Sequence, residues 1–184
     1  MGLDMYLSKR TYIGNNYRET DEQTQVILKA PKKKQSFVDD VSKVKQGRVS
    51  EIVERMGYWR KANQIHNWFV QNVQDGNDDC GEHYVSNEQL RELLDLVNKV
   101  LASCELVKSR ETVKEIGEDN KLVERTIKVV KDSKIAEELL PTTSGFFFGG
   151  TGYDEFYVQD LEDTKKILEA ALAESGDYYY HSSW

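Results

Sequence analysis

A chain of 184 residues, 39% of them hydrophobic, can bury roughly two-thirds of the surface its unfolded form exposes and needs no covalent staple to do so. Its two cysteines, Cys80 and Cys104, argue against a disulfide-built secreted scaffold. No apolar run approaches the roughly 18 residues of a membrane span, and no charged-then-apolar leader follows Met1, so a cytoplasmic location is expected. The net charge of −7 is carried by the stretch from Ser133 to Trp184, which holds three lysines against ten acids. Such an acidic segment disfavours direct nucleic-acid binding and allows a basic protein partner; the alternative is that it only keeps the chain soluble.

In chain order, Leu3-Asp4-Met5-Tyr6-Leu7 alternates apolar and polar residues to about Tyr12, a half-buried strand, and Gly14-Asn15-Asn16 marks a turn. Residues 17–50 read as a polar, exposed excursion containing Pro31 and the run Lys32-Lys33-Lys34, which without interleaved aromatics is a solvated loop rather than a nucleic-acid patch. Ala62, Ile65, Phe69 and Val73 recur at helical spacing and predict a helix over Tyr58–Gln74, ended by Asp75-Gly76. A second helix is predicted from Asn87 to Cys104, with Ser86 and Gln89 as a capping box.

Further along, β-branched residues on both sides of Gly117-Glu118-Asp119-Asn120 predict a hairpin over Glu111–Val130, and a short helix over Ile135–Leu140 stops at Pro141. Ser144–Val158 reads as another hairpin about Gly149-Gly150-Thr151-Gly152. A last helix over Leu161–Ser175 is expected to be capped by Asp160, and Tyr178-Tyr179-Tyr180 to form an edge strand. Together these elements predict one α+β domain over 1–184, a mainly antiparallel sheet of the N-terminal strand plus hairpins packed by three main helices.

No catalytic centre is legible. The glycine stretch lacks a Gly-Lys-Ser/Thr ending, and the residues after it read as a strand, not as a helix whose N-terminus could hold phosphate. Cys80 and His83 form a single pair where a structural zinc site needs two, so no metal and no cofactor is expected. His66 reads as a hydrogen-bonded histidine at the core edge. Asp154 and Glu155, adjacent on the expected strand, would point to opposite faces and could not share a substrate. What stands out is the pairing of large rings with polar side chains in Tyr58–Phe69 and Gly145–Tyr157, since aromatic and arginine residues anchor binding surfaces.

These two segments and the opening MGLDMYL carry a resemblance. The chain resembles small proteins of bacteriophages, prophages and gut mobile elements that share an MGLDMYL-like start, a YWRKANQIHNWF-like segment and an LLPTTSGFFFGGTGYDEFY-like segment, covering roughly residues 1–14, 56–104 and 135–172. Within that group it is similar to the type II-A anti-CRISPR proteins, inhibitors of an RNA-guided DNA nuclease. The resemblance implies work in the host bacterial cytoplasm, the nuclease as partner, and inhibition by blocking DNA from its positively charged channel. The residues expected at the partner surface are Trp59, Arg60, Asn63, Asn67, Tyr153, Asp154, Glu155, Asp160, Glu162 and Asp163, with no catalytic residue among them. The competing expectation is an enzyme or small-ligand-binding protein with a pocket between the 58–69 and 145–157 segments, using Tyr58, Arg60, Asn63 and His66. Oligomeric state is not legible.

Overall fold

The structure, a computed structural model, describes residues 2–13, 49–116 and 122–184. Apart from its last two residues the expected polar excursion lies outside the described residues, as does the turn at 117–120.

Strand β1 (Asp4–Tyr12) is followed by β2 (Glu51–Arg60), helix α1 (Asn63–Asn72), β3 (Glu82–Val85), α2 (Asn87–Ser103) and β4 (Leu106–Ile116). Then come β5 (Leu122–Val130), α3 (Lys134–Leu139), α4 (Glu155–Leu172) and β6 (Asp177–Ser183). A four-stranded antiparallel sheet in the order β2-β1-β6-β3 and a separate β4–β5 hairpin make an α+β fold.

Alternation along each strand sorts side chains between two faces of the large sheet. Met5 and Leu7 of β1, Trp59 of β2, Val85 of β3, and Tyr178 and Tyr180 of β6 are buried on the inner face. There they meet Ile65 and Phe69 of α1, Leu90, Leu93, Val97 and Val100 of α2, and Leu161, Leu168 and Ala171 of α4 in one cluster. Each such aliphatic side chain contributes about 1.5–3 kcal/mol by leaving water. Phe69 and Tyr180 stack with ring centroids 3.9 Å apart and planes 7° from parallel. α2 opens with the expected capping box, Gln89 N donating to Ser86 Oγ and Ser86 N to Gln89 Oε1.

Four local expectations change. Tyr58–Gln74 is not one helix: the chain stays extended to Arg60 because β2 pairs with β1, and Lys61 turns it into α1. Ser144–Val158 is not a hairpin, since the glycines form a loop and α4 begins at once after it. Asp154, not Asp160, is the N-cap of α4: its side chain accepts from the N–H groups of Phe156 and Tyr157. β6 is an interior strand, bonded to β1 on one side and β3 on the other, so its three tyrosines are not at an edge.

Candidate functional site

Residues 60–64 and 142–160 enclose a cavity of about 330 Å³, lined by Arg60, Lys61, Asn63, Gln64, Gly149, Gly150, Asp154, Phe156 and Asp160 among others. Its geometry begins at the end of β2. Lys61 N donates to Leu3 O at 2.8 Å, holding the chain against β1 as it turns, and Lys61 itself sits at φ 63°. A β-carbon is crowded in that left-handed region, and the strain costs a residue other than glycine about 1–2 kcal/mol.

The turn delivers Asn63, which is buried, to the back of the glycine loop. Its Nδ2 donates to Phe148 O at 3.1 Å and Gly150 O at 2.7 Å, while its Oδ1 accepts from Thr143 N at 2.8 Å. One amide thus satisfies three backbone groups of a segment with no regular structure of its own. The far side of the loop is fastened by Thr142 N donating to Tyr153 Oη (3.2 Å), Thr142 Oγ1 to Thr151 O (3.0 Å) and Tyr157 Oη to Leu140 O (2.9 Å). Gly149, at φ 88°, lies so close to the Lys61 side chain that a Cβ there would stand 3.0 Å from Lys61 Cβ.

The cavity's floor is polar. Gln64, buried, donates from Nε2 to Asp160 Oδ2 at 3.2 Å. Burial pushes the Asp160 carboxyl up to about 6, against the opposing pull of the Gln64 hydrogen bond. Burial likewise raises the Tyr157 phenol far above its ordinary value.

The residues expected at a partner surface are distributed unequally. Arg60, Asn63, Asp154 and Asp160 line this cavity. Trp59 does not, and it is unavailable to a partner: only 3% exposed, it points into the core and donates from Nε1 to Thr164 Oγ1 at 2.8 Å. β2 alternation places it inward, a strand geometry that the helical reading of this segment hid. Asn67 and Tyr153 are half-buried, and the Tyr153 ring packs on Tyr157 at 5.0 Å. Glu162 is exposed.

Several of the ten acids of the last third are engaged by protein groups, and Glu137, Glu138, Glu162 and Glu169 are exposed. Asp154 is spent on the α4 cap, Glu155 bonds Arg125, Asp160 is held by Gln64, Asp163 pairs with Lys166 at 2.9 Å, and Glu174 pairs with Lys9. Cations from earlier in the chain, Lys9 and Arg125, supply part of that neutralisation.

His66 lies behind the loop, outside the cavity lining. It is 1% exposed, with Nδ1 2.8 Å from Tyr180 Oη and Nε2 3.2 Å from Asp78 Oδ2, and its ring meets Phe148 edge-on at 5.0 Å. Burial lowers its pKa despite Asp78. Of the residues expected in an enzyme site, Arg60 and Asn63 line the cavity, while Tyr58, which packs on Tyr6 on the outer face of the sheet, and His66 do not. Cys80 and Cys104 are free thiols, and His83 bonds Asp79 at 2.8 Å. Among the described residues no group of three or more His, Cys, Asp or Glu could hold a metal ion, and no helix is long and apolar enough to cross a membrane.

The outer face of the sheet was missed by sequence reasoning. Pairing puts Tyr6 beside Tyr58 and His181, and Tyr84 beside Tyr179. Ring centroids lie 5.3 Å apart for Tyr6–Tyr58, 5.4 Å for Tyr6–His181 and 5.7 Å for Tyr84–Tyr179, and Arg55 and Arg10 lie over Tyr6 and Tyr179 at 5.4 and 4.6 Å. The alternation of Tyr178-Tyr179-Tyr180 could have signalled it, but only once β6 and β1 were known to be neighbours.

No family model, curated protein or solved structure matches the chain.

Proposed function

We propose that the protein binds a small polar molecule in the cavity between the Arg60–Gln64 turn and the 142–154 loop. The observation that carries this reading is the Asn63 clamp: a buried amide making three hydrogen bonds holds a glycine-rich loop away from Gln64 and Asp160, where apolar packing would have closed the space. A preformed hollow with a few convergent polar groups and a carboxyl of raised pKa is the usual form of a ligand site. Screening mixtures of polar metabolites by ¹H–¹⁵N NMR should move the amides of Asn63, Gln64, Gly150 and Asp160 together. Shifts confined to other surfaces, or none with any mixture, would refute it.

A second reading is stoichiometric inhibition of a host RNA-guided nuclease, and the outer sheet face is what favours it. Tyrosine and arginine are the commonest anchors of protein interfaces, and Tyr58, Tyr84 and Tyr12 are 44%, 55% and 59% exposed there. With Asp154, Glu155, Asp163 and Glu174 engaged by protein groups, inhibition would run mainly through this aromatic face and less by imitating DNA charge. Co-elution with a type II nuclease that is abolished by Tyr58→Ala with Tyr84→Ala, yet kept at high salt, is the expected result; loss in salt alone would restore charge as the cause.

A further inference from the structure

The strand edges of this fold are not equally protected. β3 closes one side of the large sheet with only four residues, and β4 of the hairpin carries Lys108, Arg110 and Lys114. Short edges and lysine-bearing edges resist pairing with another chain. β2 closes the other side of the large sheet with ten residues that include neither proline nor lysine, and its Ile52, Val53 and Tyr58 are exposed. Among the described residues no strand pairs with its outer edge.

The direction of each backbone group in β2 follows from its two ends. Lys61 N donates to Leu3 O and Ile13 N to Ser50 O, both at 2.8 Å, so Lys61 and Ser50 each turn their backbone groups toward β1. In an antiparallel ladder every second residue does the same and those between point away. Counting back from Lys61, Trp59 and Gly57 face β1, and Tyr58 and Arg60 present N–H and C=O to the open edge. Counting forward from Ser50, Ile52 and Glu54 face β1, and Glu51 and Val53 present theirs outward.

A regular strand could not set Glu51 and Arg60 alike, because they are an odd number of residues apart. The bulge makes them so: Leu7 pairs with Gly57 and Ser8 with Arg55, leaving Met56 as the extra residue. A bulge can guard an edge by twisting it away. Here it has a second effect, giving both halves of β2 the same sense when the strand runs antiparallel to itself. Glu51 then stands opposite Arg60 and Val53 opposite Tyr58, each in the hydrogen-bonded kind of pair, with all four side chains on the outer face. The charges also alternate across the seam. Arg60 already lies opposite Asp4 of its own β1, and Glu51 lies 3.5 Å from Arg10, so the row reads Asp4, Arg60, Glu51 of the second copy, Arg10 of the second copy.

We propose that β2 is a self-association strand: two copies of the chain join edge to edge, antiparallel, about a two-fold axis at the bulge. One strand supplies the acid at one end and the base at the other, which is the self-complementarity a two-fold interface requires, and opposite charges facing each other across strands favour this register. The sheet becomes continuous through both copies, and the tyrosine rows of their outer faces lie on one surface.

The test is sedimentation equilibrium of the whole chain over a wide concentration range, with amide hydrogen exchange followed residue by residue. A reversible dimer is expected. The amides of Val53, Tyr58 and Arg60 should be protected at high concentration and exchange freely at low, while those of Ile52, Glu54 and Trp59 stay protected at both. Val53→Pro removes an N–H that β1 does not use, so the monomer keeps its sheet, and it should weaken the dimer about a hundredfold by deleting a bond on each side of the axis. Val53→Lys, which leaves the backbone intact, should weaken it in the same direction. A monomer at every concentration would overturn the proposal, as would a dimer in which those three amides still exchange freely or one that survives both variants. Protection of the three amides at all concentrations in a monomer would overturn it too, by showing that the chain covers its own edge.

Discussion

Two titratable side chains place opposite demands on the folded chain. Asp160 has its pKa raised from 3.8 to about 6, chiefly by burial, so the folded state resists its ionisation and stability falls as pH rises from about 4 through 6. Asp160→Asn should therefore change little near pH 3.5 but add about 1–3 kcal/mol above pH 7, read as a shift in urea midpoint. A variant less stable at pH 7 would mean that the Gln64 hydrogen bond outweighs the desolvation. His66 has its pKa lowered from 6.5 by burial. The unfolded chain takes up the proton first, so the stability contributed by neutral His66 is intact above about 6.5 and drains away as pH falls below that value. Urea unfolding of Asp160→Asn at pH 7.5 and pH 5.5 isolates this second effect: a lower midpoint at pH 5.5 is expected, and His66→Gln should flatten it.

At the scale of elements, the decisive contact is α4 against β2. A Cβ on Gly57 would stand 2.4 Å from Ile167 Cγ2, so a bare backbone at this point lets the helix lie on the sheet. The register of β2 against β1 slips beside Gly57, which gives the strand an extra residue and re-aims it toward the Lys61 turn. Gly57→Ala should cost about 1–3 kcal/mol by overpacking. Adding Ile167→Ala should recover part of that loss, and strictly additive losses would show that the clash is relieved elsewhere. Elements with a complete local signal were legible in the sequence: the capping box and apolar stripe of α2, the β-branched arms of the β4–β5 hairpin, and β1. β2 was not, because Ala62, Ile65 and Phe69 imposed their helical period on Tyr58–Arg60 just before them. The start of α4 was hidden in the same way by Phe146-Phe147-Phe148, which look like a strand but sit in a loop whose hydrogen bonds come from Asn63.

At the scale of the whole molecule, the sheet has one face turned to all of the core helices and one bearing rings and arginines. Substitutions on the two faces should separate cleanly. Phe69→Ala removes a ring fully buried against Tyr180 and should cost about 3–5 kcal/mol. Tyr84→Ala, 55% exposed on the outer face, should cost less than about 1 kcal/mol. Chemical denaturation of both variants checks the pair; a large loss in Tyr84→Ala would mean that the outer rings are structural and would remove the observation favouring a protein partner.

The sequence by itself determined the α+β class and the amphipathic helices, because periodicity and caps act over a few neighbouring residues. The expectation of a pocket between the 58–69 and 145–157 segments came from their composition. Tertiary structure alone decided which members of those segments face it. Trp59 turned inward because β2 pairs with β1, Asp160 became half-buried beside Gln64, and Glu155 and Glu174 met Arg125 and Lys9, cations distant in the chain. Local patterns cannot encode such outcomes, since each depends on a partner many residues away whose position exists only after the sheet has formed.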